Sequence, residues 1–134
     1  MDYAAVVVLE ILYMIAFLAR WQKRFGDTKI VHEIAVSQYQ GIMLWAECVR
    51  KAGSLKREDM LKAIESGVSV VGPGGLVTID PKTHHASLDI KVMEVKGQKL
   101  TVKSTVKQRP PLDTGRYCDL LKNPKENKQF EVNV

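Results

Sequence analysis

The stretch Gly72-Pro73-Gly74-Gly75-Leu76-Val77-Thr78-Ile79-Asp80-Pro81-Lys82-Thr83-His84-His85 decides how this chain is read. Four residues of turn chemistry precede the apolar and β-branched run Leu76 to Ile79, and Asp80-Pro81 ends that run, so the segment reads turn, strand, turn. A phosphate-cradling glycine loop would lead into a helix N-terminus and carry a lysine and a hydroxyl; this one leads into a strand. Working outward, Val68 to Val71 forms a short partner strand before the turn. After it, Leu88, Ile90 and Val92, then Leu100 and Val102, alternate with polar residues at the period of 2 that marks strands, and Lys96-Gly97-Gln98 joins them as a hairpin. From Gln108 onward the composition is that of loop, beginning at Arg109-Pro110-Pro111 and ending in the polar run Asn123 to Lys128.

Before Gly67 the period is 3.6. No proline or glycine interrupts Ala4 to Phe25, and Gly26 follows as a helix-ending residue. Phe17, Leu18, Trp21 and Phe25 share a face in the second half of this helix, whereas its first half is apolar all round, a pattern that requires protein or lipid around it. A second helix is expected from about Ser37 to Ala52, with Tyr39, Ile42, Met43, Ala46 and Val49 on its apolar face, Trp45 and Cys48 on the flanks, and Gly53 as its stop. Ser54 then serves as N-cap of a shorter third helix carrying Leu61 and Ile64. The fold class is therefore α/β, with helices in the first half and β-strands with a hairpin in the second.

At 134 residues, with 46% hydrophobic and 26% charged residues, the chain has the size and composition of one globular domain or part of one. The net charge of +5 is spread from Arg20 to Lys128 among fifteen acidic residues, with no basic stripe interleaved with aromatics, so nucleic acid is not an expected partner. Cys48 and Cys118 are expected as buried or half-buried free thiols. His84 and His85 point to opposite faces of an extended segment and make a poor chelate, so no metal or other cofactor is expected, and the imidazoles are expected to bond backbone near Asp80-Pro81. Cys48, Ser37 and Ser104 are available nucleophiles, but no spacing brings a base to any of them, so no enzyme activity is expected. Gln38, Tyr39 and Gln40 open the second helix. Gln38 and Tyr39 are the candidate contacts for a small polar ligand, against the plainer reading of Tyr39 in the core and both glutamines on the surface.

The apolar run from Tyr3 to Leu18 does not read as a secretory signal, because Asp2 precedes it and Arg20, Lys23 and Arg24 follow it. It is also shorter than a spanning helix needs and carries Glu10. It reads as a helix buried or incompletely covered, with a surface for self-association or membrane contact.

Phe17 to Gly26, Tyr39 to Glu47 followed by Lys51-Ala52-Gly53-Ser54, and above all Gly72 to His85 carry a resemblance. They resemble the type I periplasmic solute-binding proteins of ABC transporters, in the branch serving urea, short-chain amides and branched-chain amino acids. The resemblance covers about Ala16 to Leu100 and extends toward Asp119. It implies a partial type I periplasmic-binding-protein fold, with residues 1–15 as an unmatched apolar lead-in, 16–119 as the C-terminal portion of the solute-binding domain and 120–134 as a polar tail. It further implies a periplasmic location, a small polar solute and an ABC permease as partners in the full-length parent, and a truncated chain that binds poorly alone and has weak stability. The alternatives are a small interaction module docking through the apolar N-terminal helix on a partner or membrane, and an amide-sensing regulator.

Overall fold

The computed structural model describes residues 3–27, 31–110 and 118–127. Three helices, α1 (Tyr3–Phe25), α2 (Glu33–Ala52) and α3 (Arg57–Glu65), are followed by β1 (Ser69–Gly72), β2 (Gly75–Ile79), β3 (Ala86–Lys96) and β4 (Lys99–Arg109). The strands form one antiparallel meander in the order β1-β2-β3-β4. Helix α1 packs on β1 and β2, and α2 packs on β1 and α3.

Helix α1 ends where expected, with the Gly26 N–H donating to the Gln22 carbonyl at 2.8 Å. Helix α2 ends at Gly53, whose left-handed backbone lets its N–H reach the Val49 carbonyl. Its start lies four residues before the expected Ser37. His32 is the N-cap, its Nδ1 accepting from the Ile34 N–H, and the Ser37 hydroxyl donates back to the Glu33 carbonyl from within the helix. Helix α3 also differs from expectation. Ser54 does not cap it; its Oγ accepts from the Lys56 N–H in the preceding turn, and Lys56 is the N-cap without a side-chain bond. Lys51 instead secures the other end of α3, donating to the Ser66 and Gly67 carbonyls at 3.3 and 2.8 Å.

The buried face of α2 is rotated from the apolar stripe. Gln40 and Cys48 are buried, while Ile42 is 67% exposed and Trp45 55% exposed. The reason lies in the first β-hairpin. Gly72 pairs with Gly75 across the two-residue loop Pro73-Gly74, and Gln40 seals that loop: its Nε2 donates to the Gly75 carbonyl and its Oε1 accepts from the Gly74 N–H, both at 2.8 Å. The approach is so close that a Cβ on Gly74 would stand 2.4 Å from Gln40 Oε1, and one on Gly72 2.6 Å from Gln40 Cγ. Gln40 was expected on the surface; the turn's unpaired backbone groups draw it inward.

The second hairpin runs well past β2. Val77, Thr78 and Ile79 pair with Leu88, Ser87 and Ala86, after which β3 and β4 continue as a two-stranded ribbon. Gln108 and Arg109, expected in loop, belong to β4. Gln108 occupies a register shift with φ of 43°, and its side chain donates to the Leu76 carbonyl and to Asp89. Ile90, Val92, Leu100 and Val102, whose alternation promised a half-covered face, are 46 to 68% exposed. Among the described residues the core is accordingly small: Phe17, Cys48, Ala63, Val68 and Val77 are its buried hydrophobic residues, with Pro73 fully buried in the turn. Both cysteines are free, Cys48 buried and Cys118 half-buried. Met1, Asp2 and the end of the polar tail lie outside the described residues.

Candidate functional site

The candidate ligand contacts Gln38 and Tyr39 both line one groove of about 520 Å³ between α1 and α2. Its floor is aromatic. Phe17, Trp21 and Phe25, one helical turn apart on α1, stand 6.1 and 4.5 Å from ring to ring, and Phe17 meets Tyr39 of α2 at 5.0 Å. Its rim is cationic. Arg20 donates from Nη2 to the Tyr39 hydroxyl at 2.8 Å and lies 5.7 Å from the Tyr39 ring centroid. Arg24 lines the same groove, and among the described residues no aspartate or glutamate does. Such a lining can hold a carbonyl or carboxylate against the guanidinium groups while an apolar tail rests on the rings. Tyr39 is thus half-buried rather than a core residue, and Gln38 is exposed at the groove's edge. The contribution of Arg20 and Arg24 was not anticipated; the signal available was their one-turn spacing beside Trp21 and Phe25 on the groove face.

Two other depressions carry less chemistry. One of about 620 Å³ at the α2–α3 turn is lined by Val49, Arg50 and residues 53–56, a single chain segment without converging polar groups. Another of about 510 Å³ lies between α1, α2 and β1 and contains Glu47 and Arg50. Arg50 Nε donates to Glu47 Oε2 at 2.8 Å, and this bond holds the Glu47 carboxyl below its ordinary range. The pair satisfies itself.

The signature loop after β2 is a structural turn. Asp80 Oδ1 accepts from the Lys82 N–H, the Thr83 N–H and the Thr83 hydroxyl at 3.0, 2.8 and 2.9 Å. Burial alone would raise the Asp80 carboxyl; the bonds from Thr83 and Lys82, with the Lys82 charge, outweigh it and hold the group below its ordinary value. The two histidines part company. His85 Nδ1 bonds the Thr83 carbonyl at 2.9 Å, as expected, whereas His84, held at φ of 56°, turns its Nε2 to within 3.8 Å of Glu65 on α3. The Leu120 N–H donates to the Lys82 carbonyl at 2.7 Å and ties the returning chain to the same loop.

Among the described residues no three of His, Cys, Asp and Glu come together as metal ligands. Of the nucleophiles, Cys48 is buried and its thiol is pushed up by that burial and by neighbouring Glu47. The Ser37 hydroxyl is committed to the Glu33 carbonyl, and Ser104 lies on the exposed ribbon.

Three helices followed by a four-stranded antiparallel sheet place the chain in the α/β class. Residues 14–99 match the periplasmic binding protein family, and the chain belongs to that family. Its members are periplasmic, bind a small solute in partnership with an ABC transporter, and are generally not enzymes. The architecture here agrees with a partial periplasmic-binding-protein fold. No curated protein matches the chain.

Proposed function

We propose that this chain forms the C-terminal portion of an ABC-transporter solute-binding protein for urea, short-chain amides or branched-chain amino acids, with Gln38 and Tyr39 contacting the solute. The observation that carries the reading is their convergence with Arg20 and Arg24 over an aromatic floor, within the span that matches the family. The groove is open and its guanidinium donors face water, which lowers the worth of each polar contact, so the chain alone binds weakly. Large apolar residues of α1 and the β3–β4 ribbon remain exposed, as they would where further protein covers them in the parent.

Amide-detected NMR titration of the chain with urea, acetamide and leucine at millimolar concentration tests this. One of the three should produce fast-exchange shifts at Gln38, Tyr39 and Arg20, diminished in Tyr39→Ala and Arg20→Gln. Shifts confined to other residues, or none with any solute, would remove the groove as the site. Saturable micromolar binding would show that the chain is a complete binder and not a portion of one.

The exposed stripe on α1 favours a second reading, an interaction module. From the sequence the apolar run reads as too short to span, but the helix continues through it to Phe25, and Ala5–Phe25 is by length and composition long and apolar enough to cross a membrane. Phe17 is nevertheless buried against protein and Glu10 pairs with Lys91 of β3 at 3.0 Å, which holds the helix to the sheet.

A further inference from the structure

The cationic rim of the α1–α2 groove is built of hydrogen-bond donors. Arg20 and Arg24 stand one turn apart on α1, so both guanidinium groups reach the groove from the same helix face. A guanidinium donates through all of its N–H groups and accepts nothing. Tyr39 adds another donor. Its hydroxyl oxygen already accepts from Arg20 Nη2 at 2.8 Å, and its own proton has no acceptor among the described residues. Arg24 likewise has no hydrogen bond or ion pair among the described residues, so its donors are available to a ligand. The acidic residues nearest along the chain, Asp27 and Glu33, do not line the groove. Of the ring faces that would attract an ammonium, that of Tyr39 already carries Arg20, 5.7 Å from its centroid.

We infer, resting on the reading of this groove as the solute site, that its solute is a small carboxylate with an apolar tail, recognised by its negative charge and not by an amide or ammonium group. An ionised carboxylate only accepts, and its oxygens can take the guanidinium groups and the Tyr39 proton together. A neutral amide offers a carbonyl oxygen but turns an NH2 group toward further donors, and urea carries a second such group. Each leaves donor facing donor, which costs the bonds that water had supplied. An amino acid brings the carboxylate, yet it also sets an ammonium beside Arg20 and Arg24, where like charges repel. The tail is held by the aromatic floor of Phe17, Trp21 and Phe25. At about 520 Å³ the groove lies within the roughly 300–1,000 Å³ of small-molecule sites, ample for a short branched chain. Both arginines are exposed, so water and salt weaken the attraction and the discrimination is modest.

Three solutes built on one carbon skeleton test the inference by amide-detected NMR on the whole chain: isocaproate, its neutral amide isocaproamide, and leucine, which is isocaproate with an added ammonium. The expected result is shifts at Arg20, Arg24 and Tyr39 with isocaproate, at an affinity about threefold to tenfold above that of isocaproamide and above that of leucine. Arg24→Gln, which breaks no bond among the described residues, should remove most of the preference for acid over amide and leave the affinity for the amide unchanged. Equal binding of acid and amide, or tighter binding of leucine than of isocaproate, overturns the inference and leaves the groove as the solute site. Shifts with none of the three remove the site itself and the inference with it. A preference for the acid that survives both Arg20→Gln and Arg24→Gln places charge recognition elsewhere and also overturns it. Tighter binding of a tripeptide ending in leucine than of isocaproate would replace the small solute with the C-terminus of a partner chain.

Discussion

Gln40 is the side chain on which helix and sheet meet, and its amide does what no apolar residue could do at that position. It completes both backbone bonds left open by the Pro73-Gly74 loop. Replacing it with alanine should cost about 1–3 kcal/mol in chemical denaturation, because the Gly75 carbonyl and Gly74 N–H lose their partner. Gly74→Ala should destabilise by displacing the same amide, so its cost should shrink in a Gln40→Ala background; strict additivity in that double-mutant cycle would show the two to be independent. Asp80 makes a pH prediction. Its folded-state affinity for protons is lowered, so its stabilising contribution is complete above the unfolded aspartate value of about 3.9 and disappears as pH falls through the folded value. Asp80→Asn should be less stable than wild type at pH 6, and the gap should close below about pH 4; a gap constant with pH would contradict the assignment. Asp80-Pro81 and Gly72 to Gly75 were legible as turns because they rest on local backbone chemistry. The burial of Gln40 was not, because its need arises 34 and 35 residues away along the chain.

At the scale of elements, helix ends marked by glycine and the strands around the Gly72 to Gly75 turn were readable, since capping and turn residues act over a few positions. The rotation of α2 and the early start of that helix were not: the first depends on what the sheet presents to it, the second on a histidine cap outside the usual set. The ribbon offers a direct test. Lys96 pairs with Lys99 across Gly97-Gln98, both with positive φ, at 55° and 61°. A glutamine in left-handed conformation carries a steric cost, so Gln98→Gly should stabilise the hairpin by about 0.5–1 kcal/mol, read as slower amide exchange along β3 and β4 beyond Ile90. No change in exchange there would mean that the ribbon opens from its other end.

For the whole molecule, a core this small leaves little margin. Among the described residues Phe17 is its largest buried side chain and touches Trp21 and Tyr39, so Phe17→Ala should cost about 3–5 kcal/mol, a large share of the roughly 5–15 kcal/mol that holds a domain folded. Loss of the cooperative melt is the expected outcome; a melt shifted by only a degree or two would show that the α1–α2 aromatic cluster contributes little. Chain order, periodicity and turn chemistry by themselves determined the α/β class and the helices followed by strands, because these depend on residues close together in sequence. Tertiary structure alone decided that Gln40 enters the core, that Arg20 and Arg24 join Gln38 and Tyr39 around one groove, that His84 faces Glu65, and which side of α1 stays open. Each is a meeting of separate elements, and it is the packing of those elements that chooses which polar groups lose water and must find partners.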